Sequence, residues 1–333
     1  AIRRILVPES LADAVSSALS DRLGKIKIGD PRLETTRMGA LASLAQRQDV
    51  RARIGVLSQV PGLWSQLIAD WESVSPPPDP ATGLFLWQNI FGVWPQDGVV
   101  TEALRLRLHA YARKAVREAG RCSSWREPDA AFERAVADWL DAVLDGPVAG
   151  ELTELLAGLA PHARNDALAQ KLLSLTVPGV PDVYQGTELW EDSLTDPDNR
   201  RRVDFAARRD ALAAGTHPKM RITHAALRLR RDRPEAFRRG DYRPMLAAGS
   251  AADHVVAFRR GDDVVVAVSR WTARLADTGW GDTAITLPDG AWTDRLTGRR
   301  WAGTVRAAEL FAELPGVLLE RAREASPPGV VDS

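Results

Sequence analysis

Apolar residues recur at helical spacing over most of the chain and change to short β-branched runs only near its end. Residues 1–28 read as strand, helix, strand: Arg4–Val7 is extended, and Ser10 caps a helix with apolar positions Leu11, Val15, Ala18, Leu19 and Leu23. Lys25–Ile28 alternates and stops at the turn Gly29-Asp30-Pro31. Residues 44–72 have helical spacing interrupted at Pro61-Gly62, and the proline-rich run 73–83 predicts a linker or long surface loop. From Leu84 to Leu175 the pattern predicts helices near 84–94, 99–119, 129–144, 150–159 and 164–176. Val177–Tyr184 (VPGVPDVY) reads as a proline-punctuated short strand, followed by a polar irregular stretch and two helices to about Asp232. After Pro234, the runs HVVAF, DVVVAVS, TAITL and GVLLE between Gly-Asp turns predict antiparallel β-structure of sandwich type, and the tail SPPGVVDS predicts disorder.

Composition narrows the function class. A chain of 333 residues with 45% hydrophobic and 26% charged residues can bury a core across roughly two domains. Lys+Arg and Asp+Glu are both 44, so no net field draws the chain to nucleic acid or an anionic membrane. The only cysteine is Cys122, which rules out an intrachain disulfide and a Cys-based zinc site, and His109, His162, His217, His224 and His254 lack metal-ligand spacing. No apolar run reaches the ~18 residues of a membrane span, and no Gly-rich phosphate loop occurs. These features give a cytoplasmic protein without cofactor or metal. The 11 Trp against 3 Tyr suit sugar stacking, and suit cores and interfaces equally.

The densest cluster of chemistry runs from Pro178 to Phe205. Tyr184 ends the expected strand, and Gln185, Gly186, Glu188, Trp190, Asp196, Asp198, Asn199 and Arg200 follow at once. Carboxylates, an amide and a guanidinium can hold vicinal hydroxyls, while Tyr184 and Trp190 offer stacking faces at the end of a strand, where a β/α barrel places its function. A structural turn rich in Asp and Asn is the competing reading. Ser123-Ser124-Trp125 divides in the same way, between a glucan-facing Trp125 and a helix cap beside a core tryptophan.

The motif GVPDVYQGTE resembles the last barrel strand of the α-amylase superfamily. Its continuation TELWEDSLTDPDNRRRVDF, with LFLWQNIFGVWP, RKAVREAGRCSSWREPDAAFE and RRGDYRPM, resembles the maltooligosyltrehalose synthase family from about Asp49 to about Glu320. That resemblance implies an α/β and α+β chain: a partial (β/α)8 barrel remnant with a helical insertion, then a C-terminal antiparallel β-sandwich. It also implies a maltooligosaccharide or α-1,4-glucan as partner, and an intramolecular transglucosylation from a reducing-end α-1,4 to an α,α-1,1 linkage. Tyr184, Gln185, Glu188, Trp190, Asp196, Asp198, Asn199, Arg200 and Trp125 are the candidate substrate-binding residues. The superfamily's retaining mechanism uses an Asp nucleophile, a Glu acid/base and a second Asp. In the family order all three precede Asp49, the last in a His-Asp-Thr-Lys-Arg segment where this chain has Ala42-Ser43-Leu44-Ala45-Gln46, so no catalytic residue is expected here.

Residues 3–54 resemble an aldehyde dehydrogenase instead, through Gly29-Asp30-Pro31 and Met38-Gly39-Ala40-Leu41, which match the segment after that family's catalytic cysteine. The cysteine itself would lie before Ala1, and Cys122 is no substitute. The expected organisation is therefore an aldehyde dehydrogenase-like fragment at 1–50, a helical region with the end of an amylase-type barrel at 51–233, a β-sandwich at 234–320 and a tail at 321–333, with the seam within Asp49–Ile54. A glucan-binding module without turnover and an aldehyde dehydrogenase fragment are the alternative functions.

Overall fold

The chain divides into two units, Ala1–Ser43 and Leu44–Ser333. The computed structural model describes residues 48–322, in the second unit, and the single position Ser17 in the first. The strand–helix–strand expected over 1–28 and the tail after 322 lie outside the described residues.

Between Gln48 and the sheet run nine helices: α1 (Gln48–Val56), α2 (Pro61–Val74), α3 (Pro80–Val93), α4 (Glu102–Ala119), α5 (Ala130–Asp145), α6 (Val148–Thr176), α7 (Phe205–Ala214), α8 (Pro218–Asp232) and α9 (Pro234–Arg238). Their boundaries follow from capping chemistry. Pro61, Pro80 and Pro218 occupy first-turn positions, where a missing N–H costs nothing. Asp79, Thr101, Asp129 and Asp204 accept hydrogen bonds from the first-turn amides of α3, α4, α5 and α7. Two expectations are corrected here. The proline-rich loop ends at Asp79 rather than Gly83, because that carboxylate takes the Thr82 N–H at 2.8 Å and starts α3. The helices expected at 150–159 and 164–176 are one, with Pro161 inside it.

Tryptophan fills the helical core. Trp71 lies 5.9 Å from Trp64 and 5.2 Å from Trp87, which is 5.2 Å from Trp139, ring centroid to ring centroid. Trp64, Trp71, Trp87, Trp94, Trp139 and Trp292 are buried, so core packing accounts for much of the tryptophan content.

Among the described residues eight strands follow: β1 (Tyr242–Met245), β2 (Val255–Arg260), β3 (Val264–Ser269), β4 (Ala284–Thr286), β5 (Trp292–Asp294), β6 (Arg300–Trp301), β7 (Thr304–Arg306) and β8 (Gly316–Arg321). Six make one antiparallel sheet in the order β1-β2-β3-β8-β5-β6, and β4 pairs with β7 separately. All six residues of β3 are buried because both faces are covered. Val264, Val266 and Val268 pack with Leu168, Leu172 and Leu175 of α6 and with Ile222 and Leu229 of α8. Val265 and Ala267 pack with Trp292, Ile285 and Val305, the last two from the β4–β7 pair. Among the described residues, no helix is long and apolar enough to cross a membrane.

Candidate functional site

Residues 177–204 join α6 to α7. The expected strand at Val177–Tyr184 is corrected: the segment has no ladder partner among the described residues, and Val180 is 95% exposed. A strand needs a hydrogen-bonded neighbour, and here arginines hold the end of α6 and the Gly179 carbonyl instead. Arg230 donates to the carbonyls of Leu175 and Gly179, both at 3.1 Å, and Arg260 donates to that of Thr176 at 2.9 Å. A turn follows, closed by the Thr187 N–H and hydroxyl on the Tyr184 carbonyl at 3.0 and 2.7 Å. Gly186 takes φ +91°, and its carbonyl accepts from Arg208 at 2.7 Å. A side chain there would be strained and would meet Arg208 and Val203 at 3.3 Å.

Buried charges fix what comes next. Lys219 on α8 is fully buried and donates to both Asp49 carboxylate oxygens at 2.9 and 2.7 Å and to the Leu189 carbonyl at 3.1 Å. Asp49 also accepts the Glu191 N–H at 2.7 Å, so the loop is clamped to the start of α1. Desolvation pulls the Lys219 ammonium below its ordinary pKa against the attraction of Asp49. Lys171 of α6 is also fully buried, with one long hydrogen bond of 3.3 Å to the Thr187 hydroxyl. Burial, reinforced by the charge of Lys219, pushes Lys171 down to about 8. Near it, Glu188 Oε2, Arg208 Nε and Asp182 Oδ2 are buried without hydrogen-bond partners, and Glu188 reaches Arg208 only at 4.0 Å. A buried polar atom left unbonded costs about 1–3 kcal/mol, so this cluster carries unmet hydrogen-bonding capacity, one donor and two acceptors.

The second half of the loop is held from α4. Arg107 grips Asp198 with two hydrogen bonds of 2.6 and 2.9 Å and Asp192 at 3.1 Å, and Asp198 also accepts the Leu194 N–H at 2.7 Å. Burial would raise the Asp192 pKa, but the Arg201 hydrogen bond and the Arg107 charge hold it below its ordinary value. Asp196 is held low by its hydrogen bond from Lys114 and then by Arg200, which is 75% exposed.

The structure thus sorts the nine residues singled out in the sequence. Tyr184, Gln185 and Asn199 line one cavity of about 220 Å3, together with Thr187, Glu191 and Arg208. Trp190 walls a second cavity of about 320 Å3 with Asp49, Arg53, Gln96, Arg164 and Asp192. Glu188 lies in the buried polar cluster. Asp198, its side chain 1% exposed, and Asp196 are engaged by loop-anchoring cations, which is the turn-forming behaviour weighed above for 196–200. Trp125 lines neither cavity; it is 58% exposed, with the Arg117 guanidinium 5.0 Å from its ring centre. Sequence reading missed Lys171, Lys219 and Arg107. The one available signal was a lysine on an otherwise apolar helix face, as in LAQKLLSL. Among the described residues no group of His, Cys, Asp and Glu is placed to hold a metal.

A family model described as the aldehyde dehydrogenase family matches residues 1–59. The chain is 64% identical over 274 residues to Mycobacterium tuberculosis proteins provisionally named maltooligosyl trehalose synthase, in the CDC 1551 and H37Rv strains. That alignment covers 82% of this chain and 36% of each relative. Among solved structures, the maltooligosyltrehalose synthase from Arthrobacter ramosus superposes with a TM-score of 0.74 at 40% identity, over 82% of this chain and 37% of that one. A further structure, described as maltooligosyl trehalose synthase, superposes with a TM-score of 0.69 at 26% identity, over 82% and 38%. The chain spans little more than a third of the length of these relatives, and over most of its own length it is homologous to maltooligosyl trehalose synthase.

Proposed function

We propose that residues from about Asp49 to about Glu320 are the glucan-contacting share of a maltooligosyltrehalose synthase, and that the chain binds maltooligosaccharide without turning it over. On this reading α6, the extended segment 177–184 and α8 are a remnant of the (β/α)8 barrel, α2 to α5 are its helical insertion, and the sheet is the C-terminal sandwich. The observation that carries the reading is the clamped loop. Tyr184, Gln185 and Asn199 share one cavity, beside a cluster in which Glu188 and Arg208 hold unbonded buried polar atoms. A neutral sugar hydroxyl both donates and accepts, so one hydroxyl could serve the Glu188 carboxylate and the Arg208 N–H together. Asp196, Asp198 and Arg200 support the loop from behind.

Turnover needs a carboxylate at the segment Ala42–Gln46, where the sequence has none. Residues 1–54 are proposed to be an aldehyde dehydrogenase-like fragment joined within Asp49–Ile54, and the protein is placed in the cytoplasm. The test uses the purified chain with maltopentaose. Binding by calorimetry with no loss of reducing ends is expected. Loss of reducing ends above a vector-only control would overturn the non-catalytic reading, and absence of binding would overturn the glucan-binding one.

A further inference from the structure

A third cavity, of about 350 Å3, opens where α6 meets the chain leaving β3 and the chain entering β8. It shares no lining residue with the two cavities at the loop. Trp280 and Phe311 form one wall, with ring centroids 5.2 Å apart and planes inclined by 34°. Both rings are partly exposed, so their faces are open to a ligand.

Across from them, α6 presents His162 and Asn165, and Glu313 stands at the edge. The Asn165 amide makes no hydrogen bond among the described residues. His162 Nδ1 is engaged with the Thr272 hydroxyl at 3.0 Å, which leaves Nε2 open. Glu313 is 57% exposed, and its nearest cation is Arg299 at 3.9 Å. No Lys or Arg lines the cavity, and burial keeps the His162 pKa below its ordinary value, so the imidazole is neutral near pH 7. An anionic ligand would find no cation there and would be repelled by the Glu313 carboxylate. A neutral polyol fits every group present: aromatic faces for its C–H surface, and an amide, a carboxylate and an imidazole for its hydroxyls.

We propose that the cavity between Trp280, Phe311, His162 and Asn165 is a separate saccharide-binding site that takes a neutral α-glucan. It does not rest on the loop at 184–204, and the chemistry it offers is retention of a chain, with no group placed for bond cleavage. Such a site would hold a polysaccharide on the molecule whatever happens at the loop.

The test is calorimetric titration of the full chain with β-cyclodextrin, a cyclic α-1,4-glucan that has no reducing end. Wild type should bind. Trp280→Ala should weaken binding about tenfold and Asn165→Ala about fivefold, while Asn199→Ala reports any share of the binding that belongs to the loop cavity instead. Thermal unfolding checks each variant, and if Trp280→Ala does not fold, Asn165→Ala at a half-buried position of α6 decides. No binding by wild type overturns the proposal, as does undiminished binding in the folded variants or a loss confined to Asn199→Ala. Failure here leaves the loop reading intact, because that reading is tested with maltopentaose.

Discussion

Lys171 carries a charge where water cannot reach it, with one long hydrogen bond as compensation. Its pKa lies at about 8 in the folded chain against 10.5 in the free side chain. Below pH 8 both states are protonated, and the folded protein bears the full cost of the buried charge. Between pH 8 and 10.5 the unfolded chain binds the extra proton, so stability rises with pH through this window. The gap corresponds to roughly 3 kcal/mol. Lys171→Met removes the group, so its stability advantage over wild type should shrink by about that amount between pH 8 and 10.5 in urea melts. A difference constant with pH would mean that Lys171 is already neutral or well solvated. At the same scale, Glu188→Ala and Asn199→Ala separate binding from turn formation. Grafted at the matching positions of a complete synthase, each should weaken maltooligosaccharide turnover by ~1–3 kcal/mol. Unchanged kinetics in both, with folding intact, would leave these residues as loop structure only. Gly186 was legible only as the start of a polar irregular stretch; the turn there, with its positive φ that favours glycine, came from the structure. The burial of Asp198 was not, because its partner Arg107 lies 91 residues away and ion-pair geometry has no local signature.

Among the elements, α6 departs furthest from its sequence signal. Proline removes a helical hydrogen bond and clashes with the preceding turn, so a break at Pro161 was the natural reading. The buried positions Leu152, Leu156, Leu159, Ala163 and Ala167 nevertheless keep steps of three and four straight through it. Packing of that stripe against the core outweighs the proline, which lies on the exposed side. The opposite error came at 177–184, where composition favoured a strand but pairing is a property of neighbours, and the described residues supply none. Strands β2, β3, β4 and β8 were legible because their β-branched runs are bounded by turns, whereas the short β1, β5, β6 and β7 carry no such run. Asp166, also on α6, gives this element a pH signature. Burial pushes its carboxyl up to about 6, opposed by the Gln59 hydrogen bond of 2.9 Å. The folded state then binds more protons than the unfolded state between pH 4 and 6, so stability falls as pH rises through that range. Asp166→Asn keeps an acceptor for Gln59 and loses the charge. It should be neutral near pH 4 and stabilising by about 1–2 kcal/mol at pH 7, a value discounted for the partly solvated carboxyl. Equal stability of variant and wild type at pH 7 would place the carboxyl in water.

At the scale of the molecule, the question is whether the sheet folds as its own unit, as the boundary expected at 233–234 implies. Phe258, Val264, Val266 and Val268 belong to the same apolar cluster as Leu168, Leu172 and Leu175 of α6 and Ile222, Ala226 and Leu229 of α8. Arg260, 3% exposed in β2, adds hydrogen bonds to carbonyls on either side, at Thr176 and Phe237. Removing the helices would bare one face of β3, a continuous apolar strip of the kind that soluble units rarely expose. The helices and the sheet should therefore open together. Phe258→Ala, which empties a fully buried ring site in the shared cluster, should cost about 3–5 kcal/mol. Hydrogen exchange followed by mass spectrometry reads where that cost falls. In the variant, amides of α6 after Leu168, of α8, and of β2 and β3 should lose protection in parallel, as one cooperative unit does. The α3–α5 region, whose tryptophan cluster is separate, should keep more of its protection. If β2 and β3 exchange early while α8 stays protected, the sheet is an independent domain and the boundary at 233–234 is a real break in cooperativity.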